Sequence, residues 1–376
     1  MTDARLPSPL GNPGVFKRIG PWLLMIPSPI VGLLLVEFFC RVFFPSLSDN
    51  QGVYQWPRSV IFFDGRGTIF QNHEDIFTFV PDSKIRHVAG FISDDDLDVR
   101  YDYHFRTNNL GLVQDADVVP GRESLLLLGD SFTEGQGAEP WFRLVSREID
   151  KLGYQAVNGG LIGTGFEQWL KLERYLVAQN VRIRKLVVLF ISDDYYRPVW
   201  NFNAATLRCL SSLPLCRFEE SHFYRLPPRE ELSSWIVKIR SSRGTMTKMW
   251  LKVHAEALLP ITYHTFYRVR SFIGRHGTQQ QSRSAIAQLL KIYGAENVAF
   301  IHLPQQDEID SGPNDLGLEA RRSIQEAGGQ LFDGFKLCRL TAIDYGAIDG
   351  HPNSAGYAKI ASCATEVIRT VTAGPH

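Results

Sequence analysis

Two apolar runs without a polar interruption set the terms of the fold. Residues 124–129 read SLLLLG and residues 185–191 read KLVVLFI. A strand with one wet face alternates apolar and polar side chains. A run that does not alternate belongs to a strand covered on both faces, as in a parallel sheet sandwiched between helices.

The neighbouring segments supply those helices and further strands. Residues 141–152 are amphipathic at helical period, 154–158 form a second short strand, and 166–178 form a helix. The rhythm returns with a helix at 284–293, a strand at 298–303, a helix at 318–327 and a last helix at 353–370. This alternation predicts an α/β fold, a doubly wound, flavodoxin-like parallel sheet. Residues 122–376 are expected to form this domain, interrupted by an insertion at 195–283. Helices are expected within the insertion at 235–250 and 262–273. About ninety residues exceed any ordinary βα connection, and at the strand ends such an insertion is placed to cover a ligand site. Residues 46–121 show no clear periodicity and read as a lead-in subdomain.

Ahead of that subdomain, residues 21–45 read PWLLMIPSPIVGLLLVEFFCRVFFP, with no charge between Arg18 and Glu37. A hydrocarbon core of ~30 Å is crossed by about 20 helical residues, so this stretch is expected to be an uncleaved transmembrane anchor. Lys17 and Arg18 favour a cytoplasmic N-terminus at residues 1–20 and an exported body. The localisation expected is a bacterial inner membrane, crossed once, with the larger domain in the periplasm or outside the cell. Glu37 and Arg41 stand four apart and are expected to pair near the membrane boundary.

Forty basic residues balance forty acidic ones, leaving no electrostatic footprint for nucleic acid. Five cysteines leave one unpaired. Cys209 and Cys216 are near neighbours in sequence and are expected to pair on the oxidising side. No paired CxxC or HExxH pattern points to a metal, and no cofactor is expected.

The sharpest chemical signal is LLLLGDSFTEG, residues 125–135, where an apolar strand ends in Gly-Asp-Ser. At a strand-to-helix turn, Ser131 Oγ lies near backbone N–H groups that can stabilise developing negative charge. A serine needs a base to become nucleophilic. AIDGHPNSAGYAKIA, near the other end of the chain, offers His351 in a loop before the last helix.

Together these segments resemble the SGNH (GDSL-type) hydrolase family over about two thirds of the chain. Gly129-Asp130-Ser131-Phe132 is similar to its block I, and Asp349-Gly350-His351-Pro352-Asn353 to its block V. VNGGLIGTGFEQW resembles block II, which implies Gly160 N–H as an oxyanion donor beside Ser131 N–H. Two departures follow. Block III of the family is G-x-N-D, but residues 191–194 are Ile-Ser-Asp-Asp, and an ionised Asp193 has no hydrogen to donate. The acid that orients the histidine normally precedes it by three residues, where Ile348 stands. Asp349 takes that role in this reading, with Asp344 in reserve. The resemblance implies a serine-dependent acyl-ester hydrolase or O-acyltransferase acting on an acylated envelope glycan or lipid. The alternative is a non-catalytic envelope protein that binds a glycan or a partner through a degenerate site, using aromatic residues of the insertion such as Trp200.

Overall fold

The structure is a computed structural model, and it describes residues 32, 34–39, 59–93, 96–138, 141–217, 223–241, 260–346 and 350–373. The chain divides into two compact units. One comprises Met1–Gln55 with Thr247–Ser271, the other Trp56–Met246 with Phe272–His376.

The larger unit is built on a five-stranded parallel sheet. Its strands are β6 (Glu123–Gly129), β7 (Gln155–Gly160), β8 (Arg182–Phe190), β10 (Val298–His302) and β11 (Gln330–Asp333), in spatial order β7-β6-β8-β10-β11. Counted within the sheet this is the order 2-1-3-4-5, with the reversal between β6 and β8. Open α/β sheets bind ligands at the carboxyl end of such a switch point, so the segments after Gly129 and Phe190 are the ones that face a site.

The unbroken apolar runs serve both faces. Leu126, Leu128, Leu186, Val188 and Phe300 join one buried cluster with helix Phe166–Ala178 and helix Asp315–Glu326. Leu125, Leu127, Val187, Leu189 and Ile301 join another with helices Phe142–Lys151 and Ser354–Ala373. Successive side chains of a strand point to opposite faces, so four leucines in a row feed two cores. A disulfide between Cys338 and Cys363 ties the segment after β11 to the last helix.

Residues 59–106 differ from the aperiodic lead-in expected of them. They form strands β1 (Ser59–Asp64), β2 (Phe70–His73), β3 (Ile76–Phe79), β4 (Lys84–Ser93) and β5 (Asp96–Arg106). A second sheet, ordered β5-β4-β1-β9, is completed by β9 (Phe223–Arg225) from the insertion, parallel to β1. Phe63, Phe70, Phe77, Phe79 and Phe105 lie in the same buried cluster as Leu126 and Val188. Aromatic side chains of this sheet and of the separate β2-β3 pair thus pack into one cluster with the α/β core.

The insertion carries helix Ala204–Ser211, the Cys209–Cys216 disulfide and helix Leu232–Ser241. The helices expected at 262–273 and 284–293 are parts of a single helix, Pro260–Tyr293. Of the expected anchor, residues 21–45, only 32 and 34–39 are described. Among the described residues no helix is long and apolar enough to cross a membrane. Glu37 Oε2 accepts hydrogen bonds from Thr262 N (3.1 Å) and Oγ1 (3.0 Å), while Arg41 lies outside the described residues.

A Cβ placed on Gly160 would stand 2.1 Å from Glu134 N, so the end of β7 touches the turn after β6 backbone to backbone. Gly160→Ala is expected to lower stability by about 3 kcal/mol, measured by urea unfolding. Gly277→Ala, at an exposed position of helix Pro260–Tyr293 with nothing within 4 Å of a Cβ, is expected to raise it by about 0.5–1 kcal/mol.

Candidate active site

β6 ends at Gly129, and the chain turns at once into the short helix Ser131–Glu134. A Cβ on Gly129 would meet Thr133 Oγ1 at 1.9 Å and Leu189 O at 2.5 Å, so only glycine lets the chain turn here. Asp130 caps the helix, its Oδ1 accepting from Phe132 N at 2.9 Å. The amides of Thr133 and Glu134 both donate to Asp130 O. Ser131 N makes none of these bonds.

His351 reaches the serine from the other end of the chain. The last turn before the C-terminal helix closes as a small hairpin, with a bridge between Tyr345 and Pro352 and a bond from Gly346 N to His351 O of 2.8 Å. Asn353 caps the helix that follows, accepting from Ala355 N and Gly356 N. Thus braced, His351 Nε2 stands 2.9 Å from Ser131 Oγ. The serine hydroxyl has a second neighbour, Asp130 Oδ2 at 3.3 Å. That oxygen already takes Arg197 Nη1 at 2.7 Å, and the shorter contact of the hydroxyl is the one to the imidazole. With the proton on Nδ1, His351 Nε2 accepts the hydrogen bond from the Ser131 hydroxyl.

Asp349 lies outside the described residues. The reserve acid, Asp344, is committed elsewhere. Its Oδ2 accepts from Thr341 N (2.7 Å), Thr341 Oγ1 (2.8 Å) and Lys359 Nζ (2.7 Å). Burial opposes the charge, but these hydrogen bonds prevail and hold the carboxyl below its ordinary range.

The turn after β7 places the expected oxyanion donor, Gly160. Gly160 N donates to Asn158 Oδ1 at 3.0 Å, so that hydrogen is spent within its own strand end. Leu161 N donates to Gly129 O, Ile162 N to Glu134 Oε2 at 2.8 Å, and Thr164 N to Leu161 O. Gly163 N alone among residues 160–164 has no such bond. Gly163 has φ +70° and carries the indole of Trp200 against it, 3.3 Å from where a Cβ would stand. Trp200 Nε1 donates to Gly163 O at 3.1 Å, so the insertion's tryptophan braces this turn. The two glycines of GGLIG thus differ in what their amides bond to, which the residue types alone do not show.

The segment after β8 is a 3₁₀ turn, Ser192–Tyr196. Asp193 is half-buried, and its N–H donates to Gln305 Oε1 at 3.3 Å. Asp194 is buried and caps the turn through Ile191 N at 2.9 Å. Its Oδ1 lies 2.6 Å from Arg197 Nη1, the group that also holds Asp130. Burial and the Asp130 carboxylate push the Asp194 carboxyl well above its usual range, with Arg197 opposing. Burial disfavours the Arg197 charge, yet Asp194 and Asp130 outweigh it and raise the guanidinium further. Asp193 and Asp194 therefore have different surroundings, and only Asp194 is tied to the nucleophile's turn.

Glu134 was not anticipated. It is buried directly behind the serine, and Oε2 receives Ile162 N. Burial pushes its carboxyl up from 4.5 to about 8. Tyr103 and His87, from the second sheet, lie nearby. Tyr103 is raised by burial and then by Glu134, whereas His87 is lowered to about 3 by burial and then by the charge of His351.

No protein-family model matches the chain, and no curated protein matches it in sequence. Solved structures are similar at low identity. A member of the lipolytic protein G-D-S-L family from Veillonella parvula is 15% identical, with 65% of this chain and 97% of that one covered and a TM-score of 0.32. A catalytic mutant of an acetylxylan esterase from Geobacillus stearothermophilus is 15% identical, covering 68% and 96%, with a TM-score of 0.33. An alpha/beta hydrolase enzyme from the metagenome of Lake Arreo is 14% identical, covering 68% and 96%, with a TM-score of 0.34.

Glu134 yields a signed pH prediction. Its folded pKa lies above the unfolded one, so the folded state holds an extra proton between pH 4.5 and about 8. Stability should fall as pH rises through that window, by at most about 1.4 kcal/mol per unit. Glu134→Gln keeps an acceptor for Ile162 N and removes the titration. Its melting temperature is expected to exceed wild type by a margin that widens from pH 5 to pH 8.

Proposed function

We propose that this chain is a serine-dependent acyl-ester hydrolase or O-acyltransferase, acting on an acylated glycan or lipid of the cell envelope. The observation that carries the reading is the 2.9 Å contact between His351 Nε2 and Ser131 Oγ at the switch point of the sheet. As His351 Nε2 takes its proton, Ser131 Oγ attacks the acyl carbonyl. The oxyanion that forms is held by Ser131 N–H and Gly163 N–H, two amides without another partner in this turn. Collapse expels the alcohol, which receives the proton from His351. Water then releases the acid, or a sugar hydroxyl accepts the acyl group, by the same steps reversed.

The exported placement rests on residues 21–45 and on cysteine chemistry. Four of the five cysteines pair, as Cys209–Cys216 and Cys338–Cys363, and disulfides persist in oxidising compartments. Insertion residues beside the site, Trp200 among them, favour a substrate with a broad, stackable face such as an acylated sugar.

A fluorophosphonate probe tests both parts. The full-length wild-type chain is expected to take one adduct by intact mass, lost in Ser131→Ala and in His351→Ala, and to cleave p-nitrophenyl acetate or acetylated glycans. A folded wild-type protein without adduct would favour glycan or partner binding through a degenerate site. A membrane-impermeant form of the probe should label intact spheroplasts; labelling only after lysis would place the domain inside the cell.

A further inference from the structure

The proposed mechanism uses two backbone amides, and the resemblance to block III gives Asp193 where a side-chain donor is expected. A carboxylate cannot donate and its charge opposes the one that develops. Arg197 lies four residues further on. Its Nη1 donates to Asp130 Oδ2 at 2.7 Å and, more loosely, to Thr164 O at 3.4 Å, and it forms an ion pair with Asp194 Oδ1 at 2.6 Å. Asp130 Oδ2 is also the oxygen 3.3 Å from Ser131 Oγ, and Thr164 is the residue after Gly163. The guanidinium is therefore linked to Ser131 Oγ through Asp130 Oδ2 and touches the same turn as Gly163 at Thr164 O. Its Nε and Nη2 hydrogens bond no described residue, and the side chain is 23% exposed. Gly165 has no room for a Cβ, which would stand 3.0 Å from Arg197 Cβ, so the arginine's root is fixed as firmly as its tip.

We propose that Arg197 is a catalytic residue of this site, donating from its uncommitted guanidinium edge to the oxyanion in the place where Asp193 has no hydrogen to give. This rests on the acyl-ester reading above and adds a residue to it. A guanidinium stays protonated at any working pH, and anchoring one nitrogen on two buried carboxylates orders the fork before substrate arrives. Asp130 and Asp194 hold the cation from both sides, so it acts as an oriented donor and not as a bulk attraction for anions.

The rate of fluorophosphonate labelling of Ser131 reads this directly, since the phosphonyl oxygen occupies the oxyanion position. Arg197→Lys keeps a cation between Asp130 and Asp194 but leaves no second edge. With a melting temperature near wild type, it is expected to label ~10²- to 10³-fold more slowly. Adding Asp193→Asn to that variant supplies an amide donor and is expected to recover at least about tenfold, which a counter-ion role would not produce. Labelling of Arg197→Lys within about threefold of wild type would overturn the proposal. Should the variant not fold, ¹⁵N spectra of the wild-type arginine side chains decide: the Arg197 Nε–H signal is expected to move on phosphonylation, and an unmoved signal would overturn the assignment. A wild-type chain that takes no label defeats the esterase reading instead.

Discussion

Between Gly160 and the first turn of helix Ser131–Glu134 there is no space for a methyl group. That contact brings the carboxyl ends of β6 and β7 together as bare backbone, and the site follows from it. With the strand ends this close, the chain after β7 passes over the serine's turn. Leu161 N bonds to Gly129 O, and Ile162 N to the buried Glu134 carboxyl. Each bond consumes an amide near Ser131 until Gly163, where a left-handed backbone leaves one unspent. A side chain at 160 would open the gap and release the amides in sequence.

Charge is handled by the same economy of space. Asp130 and Asp194 are both fully buried, and two carboxylates in a low-dielectric setting repel each other unless a cation intervenes. Arg197 fills that position. A second buried network lies one strand over: His302 Nδ1 accepts from Arg321 Nε at 2.7 Å, and Ser192 Oγ donates to Glu308 Oε1 at 2.5 Å. Because Arg321 occupies Nδ1, the remaining hydrogen of His302 points to Ser192. Ser192 and His302 are thus polarised the opposite way from Ser131 and His351 and cannot serve as nucleophile and base. Burial, with Arg321 adding to it, lowers His302 to about 3, which suits a neutral structural imidazole.

The parallel sheet was readable because two-sided burial leaves its mark in consecutive residues, as in LLLLG and LVVLF. The strand QLFD at the sheet edge was not, being short and only half covered. The second sheet escaped notice because its strands draw on both charged and aromatic residues and depend on β9, more than a hundred residues away from β1. The helices expected at 262–273 and 284–293 are one helix from Pro260 to Tyr293. Ser131 and His351 were legible from motif and order, since each needs a particular local setting. Gly163 and Arg197 were not. Whether an amide is bonded depends on the folded turn, and Arg197 meets Asp130, 67 residues earlier, only in the fold. The Cys338–Cys363 bridge depends likewise on how β11 meets the last helix.

The most direct test of this account is a crystal structure of the full-length chain phosphonylated on Ser131. The account predicts the phosphonyl oxygen within hydrogen-bond reach of Ser131 N and Gly163 N, with Gly160 N still on Asn158 Oδ1. A phosphonyl oxygen turned away from both amides, or Gly163 N bonded within the protein, would contradict it.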